Sequence, residues 1–484
     1  MNLWMDVMRH LEPVMADHER LFDAWEAGGV DGLVIGPMAF EDKTFTFDAN
    51  PAVYKRFGVE PPPANTQGSL WWKRPDETAE SGGAPGMPDD VAQKRALLDK
   101  TLQAAKDRGW QVWLFCPHYG AGPGSTGPIM VAEQTRVVNA ARLVDAMERY
   151  PMADGAVLDG PEWGYEIAPF HQNERSSIFK DLPESVAEGA KRLGYDYGRM
   201  VAAKDRLFAR LHALTDRDVA IWGGAGGGFL GGFGLLGNDP GLAEWLAFRL
   251  DSLTETYGQL RELVDAKAER PIKLAAGPRS AAWSSLCGYD YGRLGGILDV
   301  MLCKHYFWHR GFDGLYGTVA RYVQTLTEWS PGLSEAGALR FVTALFGIEL
   351  PGVRSLRDFD LGFQQEFFDT IVVRETERAI AAMGDAEKVC PWVDAGRKPH
   401  DGEPFTAHDL DRMLEAAGKA GLRRFLYHHH GNLTPGEWAV ISARCGKGGA
   451  AAGWQSTTSP VPSLEGYAAS GSMPGYHPPD LKIL

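Results

Sequence analysis

The sequence predicts an α/β fold, a (β/α)8 TIM barrel, and three observations predict it. Eight short apolar runs recur along the 484 residues, each continuous rather than alternating, as strands of a parallel sheet covered on both faces are. Segments of helical period lie between them, as βα units require. The runs end in acids, histidines and aromatic residues, and a barrel gathers its chemistry at the C-terminal ends of its strands. A doubly wound open sheet is the competing arrangement, because periodicity does not report closure.

Taken in order, the runs are 31–37 (DGLVIGP), 110–118 (WQVWLFCPH), 155–163 (GAVLDGPEW), 218–224 (DVAIWGG), 271–279 (PIKLAAGPR), 299–308 (DVMLCKHYFW), 388–394 (KVCPWVD) and 423–431 (RRFLYHHHG). Helical segments are expected over 89–109, 133–150, 241–269, 363–384 and 407–422, with Gly109 and Gly421 placed as C-caps. The stretch 37–90, rich in Pro, Gly and Trp, is a long loop insertion after the first run. From about Gly446 no periodicity remains. The expected organisation is a barrel domain over 1–445 and an irregular C-terminal extension over 446–484.

Composition narrows the function. A net charge of −14 without a dense basic run argues against nucleic acid and anionic membrane as partners. No apolar run reaches the roughly 18 residues that span a bilayer. The N-terminus lacks the basic-then-apolar order of a signal peptide, so a cytoplasmic location is expected. Five cysteines without CxxC or Cys/His spacing predict neither a disulfide framework nor structural zinc. Cys116, Cys303 and Cys390 sit inside apolar runs and read as small buried hydrophobes.

The third run carries the sharpest signal. It ends in Asp159, a Gly160-Pro161 turn and Glu162, with Trp163 directly after. A carboxyl group desolvated beside an indole has a raised pKa and can donate a proton near neutrality. Glycoside hydrolysis needs such an acid and a second carboxylate across the scissile bond. The competing role for either acid is to cap the next helix or to pair with Arg175 or Arg279. Elsewhere the run ends offer His118, Arg279, His305, Trp308, Arg310, Trp392, Asp394 and His428. Aromatic faces beside hydrogen-bonding groups suit a sugar ring, whose C–H faces stack and whose hydroxyls bond directionally.

The segment ADGAVLDGPEW is similar to the strand-end acid segment of (β/α)8 glycoside hydrolases, and AAKDRGWQVWLFCPH resembles the helix-strand unit before it. In retaining enzymes of the large barrel clan the acid/base follows strand four and a nucleophilic Glu follows strand seven. The resemblance implies Glu162 as acid/base, although the runs count it onto strand three, and Asp394 as its partner, as Asp rather than Glu. The clan's Asn-Glu pair is absent.

The expected protein is therefore a glycoside hydrolase-like enzyme with a carbohydrate substrate, no cofactor and no bound metal. Glu162, Asp394 and Asp159 are its catalytic candidates. Trp163, His118, Arg279, His305, Trp308, Arg310, Trp392 and His428 are its substrate-binding candidates. Two alternatives stay open: a metal-dependent sugar isomerase or epimerase, built on His305 and His309 with His118, Asp159, Glu162 or the run His428 to His430, and a catalytically silent carbohydrate-binding barrel. A Schiff base on Lys304 is a weaker option. The GxGxxG at Gly226, Gly228 and Gly231 runs into further glycines rather than a helix with a downstream acid, and is not read as a dinucleotide site.

Overall fold

A computed structural model describes residues 1–8, 11–36, 49–61, 90–116, 127–167, 177–180, 182–222, 228–307, 314–396, 406–428 and 430–447. Its sheet consists of nine hydrogen-bonded stretches: β1 (Asn2–Val7), β2 (Val30–Ile35), β3 (Gln111–Phe115), β4 (Gly155–Leu158), β5 (Lys273–Ala276), β6 (Val300–Met301), β7 (Lys304–His305), β8 (Trp392–Val393) and β9 (Arg424–Tyr427). Every pairing is parallel. The order is β6-β5-β4-β3-β2-β1-β9-β8-β7.

The two ends of that order are one strand. Only Leu302 and Cys303 separate β6 from β7, and both flanks stay hydrogen-bonded across the break. On the β5 side, Leu302 N donates to Ala276 O at 2.8 Å and Lys304 N to Pro278 O at 2.9 Å. On the β8 side, Cys390 N donates to Met301 O and Trp392 N to Cys303 O, each at 2.9 Å. Residues 300–305 thus form a single stave that joins β5 to β8. The sheet closes on itself with eight staves, an α/β barrel as the runs predict.

Two assignments change within that count. The first stave is β1, which the runs omit. Of the run 218–224, residues 223–224 lie outside the described residues, and 218–222, expected as strand, belong to the helix Asp216–Trp222. Its start is capped reciprocally, since Thr215 Oγ1 donates to Asp218 at 2.7 Å while Asp218 N donates to Thr215 Oγ1 at 3.2 Å. A helical insertion occupies that part of the chain, with Tyr197–Leu211, Asp216–Trp222 and Gly228–Leu235 ahead of the long helix Pro240–Lys267. The renumbering puts Asp159 and Glu162 after the fourth stave and leaves Asp394 after the seventh. The insertion at 37–90 then follows the second stave. Within it a helix forms over Pro51–Phe57, while 37–48 and 62–89 lie outside the described residues, as does the expected extension from 448 onward.

Outer helices match the periodic segments: Val91–Asp107, Glu133–Arg149, Pro240–Lys267, Val373–Met383 and Ala407–Lys419. Gly109 (φ 75°) and Gly421 (φ 100°) turn the chain from helix to strand in the left-handed region, where a side chain is strained.

The barrel interior explains two further glycines. Trp4 and Trp113 meet inside it, ring centroids 5.7 Å apart. A Cβ on Gly32 would lie 2.3 Å from Trp4 Cδ1, and one on Gly155 2.5 Å from Trp113 Cζ3. Two indoles fit because the facing positions carry no side chain. Cys116, Cys287, Cys303 and Cys390 are buried thiols. No described helix is long and apolar enough to cross a membrane.

Candidate active site

Side chains alternate along each stave, so the residues that face inward at its C-terminal end follow from the pairing register. The same face that holds Trp4 on β1 holds Asp6 two residues on. By the same register Asp159, Lys304, Trp392, Asp394 and His428 face the barrel mouth, and all six are buried.

Asp159 and Lys304 form the first pair, 3.2 Å apart. Burial pushes the Asp159 carboxyl above the ordinary carboxylate range, against the opposing pull of Lys304, and the nearby Glu162 charge adds to the rise. Gly277 makes room for this meeting. A Cβ there would lie 2.6 Å from Trp392 Cζ3 and 2.9 Å from Asp159 Oδ1, so acid and indole converge over a bare backbone. The Lys304 ammonium stands 5.4 Å from the Trp392 ring centre.

Glu162 is held differently. Arg279 grips it as a fork, with Nε at 3.2 and 3.1 Å from the two carboxylate oxygens and Nη2 at 2.5 Å from Oε1. Tyr165 lies under the guanidinium at 4.9 Å, and Tyr291 Oη donates to the Arg279 carbonyl at 2.6 Å. A bidentate fork favours the ionised carboxylate. Of the two acids after the fourth stave, Asp159 is the one that burial raises, and Glu162 is the one held by an arginine fork.

The third group joins the first and last staves. His428 Nδ1 is hydrogen-bonded to Asp6 Oδ2, Met8 N donates to Asp6 Oδ1 at 2.7 Å, and His430 Nδ1 lies 3.0 Å from the Asp6 carbonyl. The His428 ring stacks on Trp392 at 5.3 Å and on Tyr306 at 5.8 Å. Asp394 accepts from Gly396 N at 2.7 Å.

The other expected residues distribute as follows. Trp163 packs in the helical layer, donating from Nε1 to Ser252 Oγ at 3.0 Å and lying 5.5 Å from Phe248, so it does not face the mouth. His305 alternates with Lys304 and faces outward. It sits 3.6 Å from Cys303 Sγ and 5.4 Å from Phe307, and burial pushes it down to about 3. His118, Trp308 and Arg310 lie outside the described residues. Asp6 joins the site without having been expected, and Tyr306, at the end of the sixth run, joins it from outside the binding candidates. Asp6 was findable only by counting NLWMDV as a strand, and Tyr306 by carrying the alternation two residues past Lys304. Among the described residues, no three of His, Cys, Asp and Glu gather as a metal site would require.

No protein-family model matches the sequence, and no curated protein matches it. Among solved structures, the chain is similar to the PgaB (BpsB) glycoside hydrolase domain from Bordetella bronchiseptica, at 12% identity and a TM-score of 0.45, over 91% of this chain and 98% of that one. It is also similar to a chitinase from Chromobacterium violaceum, at 11% identity and a TM-score of 0.39, over 92% and 98%. The endo-beta-1,4-mannanase from Thermotoga petrophila matches at 10% identity and a TM-score of 0.39, over 92% of this chain and 76% of that one. These are likenesses in the course of the chain. The barrel itself rests on the pairing of its staves.

Proposed function

We propose that the chain is a glycoside hydrolase-like enzyme in which Asp159, rather than Glu162, protonates the leaving oxygen. The observation that carries this reading is a buried carboxyl group at the inner mouth of the barrel, raised by desolvation and set against Trp392. Cleavage of an unactivated glycosidic bond calls for a carboxyl group whose pKa is raised, and burial shifts Asp159 in that direction. Trp392, Tyr306 and Phe115, the last 6.2 Å from Trp392, form a buried aromatic floor beneath the mouth. Asp394 is the second carboxylate, across the mouth on the seventh stave, where positive charge develops at the anomeric carbon. Glu162 keeps Arg279 in place as a donor for sugar hydroxyls.

The test is turnover of a panel of nitrophenyl glycosides and of chitin, mannan and starch oligosaccharides. Asp159→Asn should lose roughly 10²–10⁴-fold on the oligosaccharide that is cleaved. It should lose far less on the matching nitrophenyl glycoside, whose leaving group needs little protonation. Glu162→Gln should raise KM more than it lowers kcat. If Asp159→Asn turns over normally, the assignment fails; binding without turnover by the wild type would favour a silent carbohydrate-binding barrel. The burial of Lys304 against Asp159 favours a second reading, imine formation with a carbonyl substrate. Borohydride trapping of a covalent adduct on Lys304 would move that reading ahead.

A further inference from the structure

We infer that Asp6 and His428 form a proton-accepting dyad, and that His428 Nε2 takes the proton from the water attacking the anomeric carbon. The inference rests on the hydrolase reading above and names its missing base.

The geometry is that of a fixed tautomer. Asp6 is an acceptor at both oxygens, one receiving Met8 N and the other facing His428 Nδ1. A carboxylate can only accept, so the Nδ1 position of a neutral imidazole must carry the ring proton, and Nε2 is then the basic atom. The ring cannot easily swing away. Trp392 and Tyr306 stack on it at interplanar angles of 22° and 21°, and its own backbone N donates to Val393 O at 2.8 Å. Both members are buried at the mouth, 1% and 4% exposed, so the arrangement is assembled by the closed barrel rather than by a surface loop.

The groups around the imidazole come from each neighbouring stave. Asp6 and the His430 ring lie on the β1 side; Lys304 and Tyr306 come from the sixth stave and Asp394 from the seventh. Carboxylates at Asp6 and Asp394 would favour an imidazolium once formed, and the Lys304 ammonium, 5.4 Å from the Trp392 ring centre, would oppose it.

The step balances. Water oxygen bonds to the anomeric carbon as the glycosidic C–O bond breaks. The water proton passes to His428 Nε2, and the Asp159 proton passes to the leaving oxygen. Asp6 does not become protonated; it faces the new imidazolium. After product leaves, His428 returns its proton to solvent and Asp159 takes one up. A single displacement of this kind inverts the anomeric centre.

Nitrogen NMR of the wild type with ¹⁵N-labelled histidine tests the dyad without substrate. The His428 signals, identified by their loss in His428→Gln, should show the proton on Nδ1 at neutral pH. Asp6→Asn, which keeps an oxygen for Met8 N, should depopulate that tautomer and lower the His428 pKa. On the glycoside that is cleaved, Asp6→Asn should cut kcat about tenfold or more, with KM nearly unchanged. Its acid limb of kcat/KM should move to lower pH. His428→Gln should abolish that limb, and the first-formed product should be the inverted anomer. A wild-type His428 with its proton on Nε2, or an acid limb indifferent to Asp6→Asn, would overturn the dyad. A retained product anomer would overturn its role in the first displacement. If the wild type cleaves no glycoside, the hydrolase reading fails while the tautomer measurement still decides the dyad.

Discussion

At the scale of single residues, many buried charges are paired, yet the buried His305 has no charge partner among the causes of its shift. His305 is pushed down to about 3 by burial alone. In an unfolded chain the same imidazole takes a proton near 6.5. Between those values the unfolded state binds one proton more than the folded state, so stability is complete above about 6.5 and falls as the pH drops below it. The slope approaches about 1.4 kcal/mol per pH unit for one group. Asp31 and Asp145 work the other way, since burial raises each to about 6 and their protonated forms favour the fold at low pH. The His305 contribution is therefore read as a difference. Across urea midpoints at pH 7, 6, 5 and 4, the wild type should lose stability relative to His305→Phe as the pH falls, because Phe fills the same apolar site and takes no proton. A constant difference across that range would mean His305 titrates normally.

At the scale of elements, glycine positions report whether a strand or helix is packed to contact. Gly155 begins β4 under Trp113, and a Cβ would also come within 2.7 Å of the Lys273 carbonyl, which cannot yield without moving β5. Gly258 sits in the helix Pro240–Lys267 with nothing within 4 Å of its missing Cβ. Gly155→Ala should cost about 1–3 kcal/mol from overpacking, whereas Gly258→Ala should stabilise by roughly 0.5–1 kcal/mol through helix propensity. Opposite shifts in melting temperature check the pair; equal shifts would show that β4 is not packed as described. The same contrast explains which elements were legible. Continuous runs such as QVWLF identify buried parallel strands because both faces are covered. NLWMDV hid because its inward face ends in Asp6, a site residue in place of an aliphatic one. DVAIWGG looked like a strand because a short apolar run between polar residues and glycines has no period to read. The deciding signal lay just upstream, in Thr215 and Asp218 at capping-box spacing. At the mouth, the acids after the β4 run could be read off directly. Arg279 was readable as a possible partner for these acids, but the link from Asp159 to Lys304 was not, since it depends on register between staves far apart in sequence.

At the scale of the whole molecule, closure ties the two ends of the described chain together. Asn2–Met5 of β1 pairs with Arg424–Tyr427 of β9, and the terminal ammonium of Met1 donates to Arg444 O at 3.1 Å. The Asp6–His428 contact spans 422 positions of sequence. Stave one therefore does two jobs: it seals the sheet and carries a site carboxylate. Removing residues 1–7 would leave β2 and β9 as open edges with unpaired backbone groups, strip Trp4 from the interior and take Asp6 from His428. The expected product is a chain without a cooperative thermal transition that aggregates on purification. Deleting 455–484 should behave oppositely. That stretch offers no repeating apolar face, so the melting temperature should move no more than it does for a surface substitution. Thermal unfolding of the two truncations, each against the full chain, decides between a barrel closed by its first stave and one held by its tail. A cooperative 8–484 fragment would show that the first stave is dispensable to closure. A fall of many degrees on losing 455–484 would show that the tail docks onto the barrel.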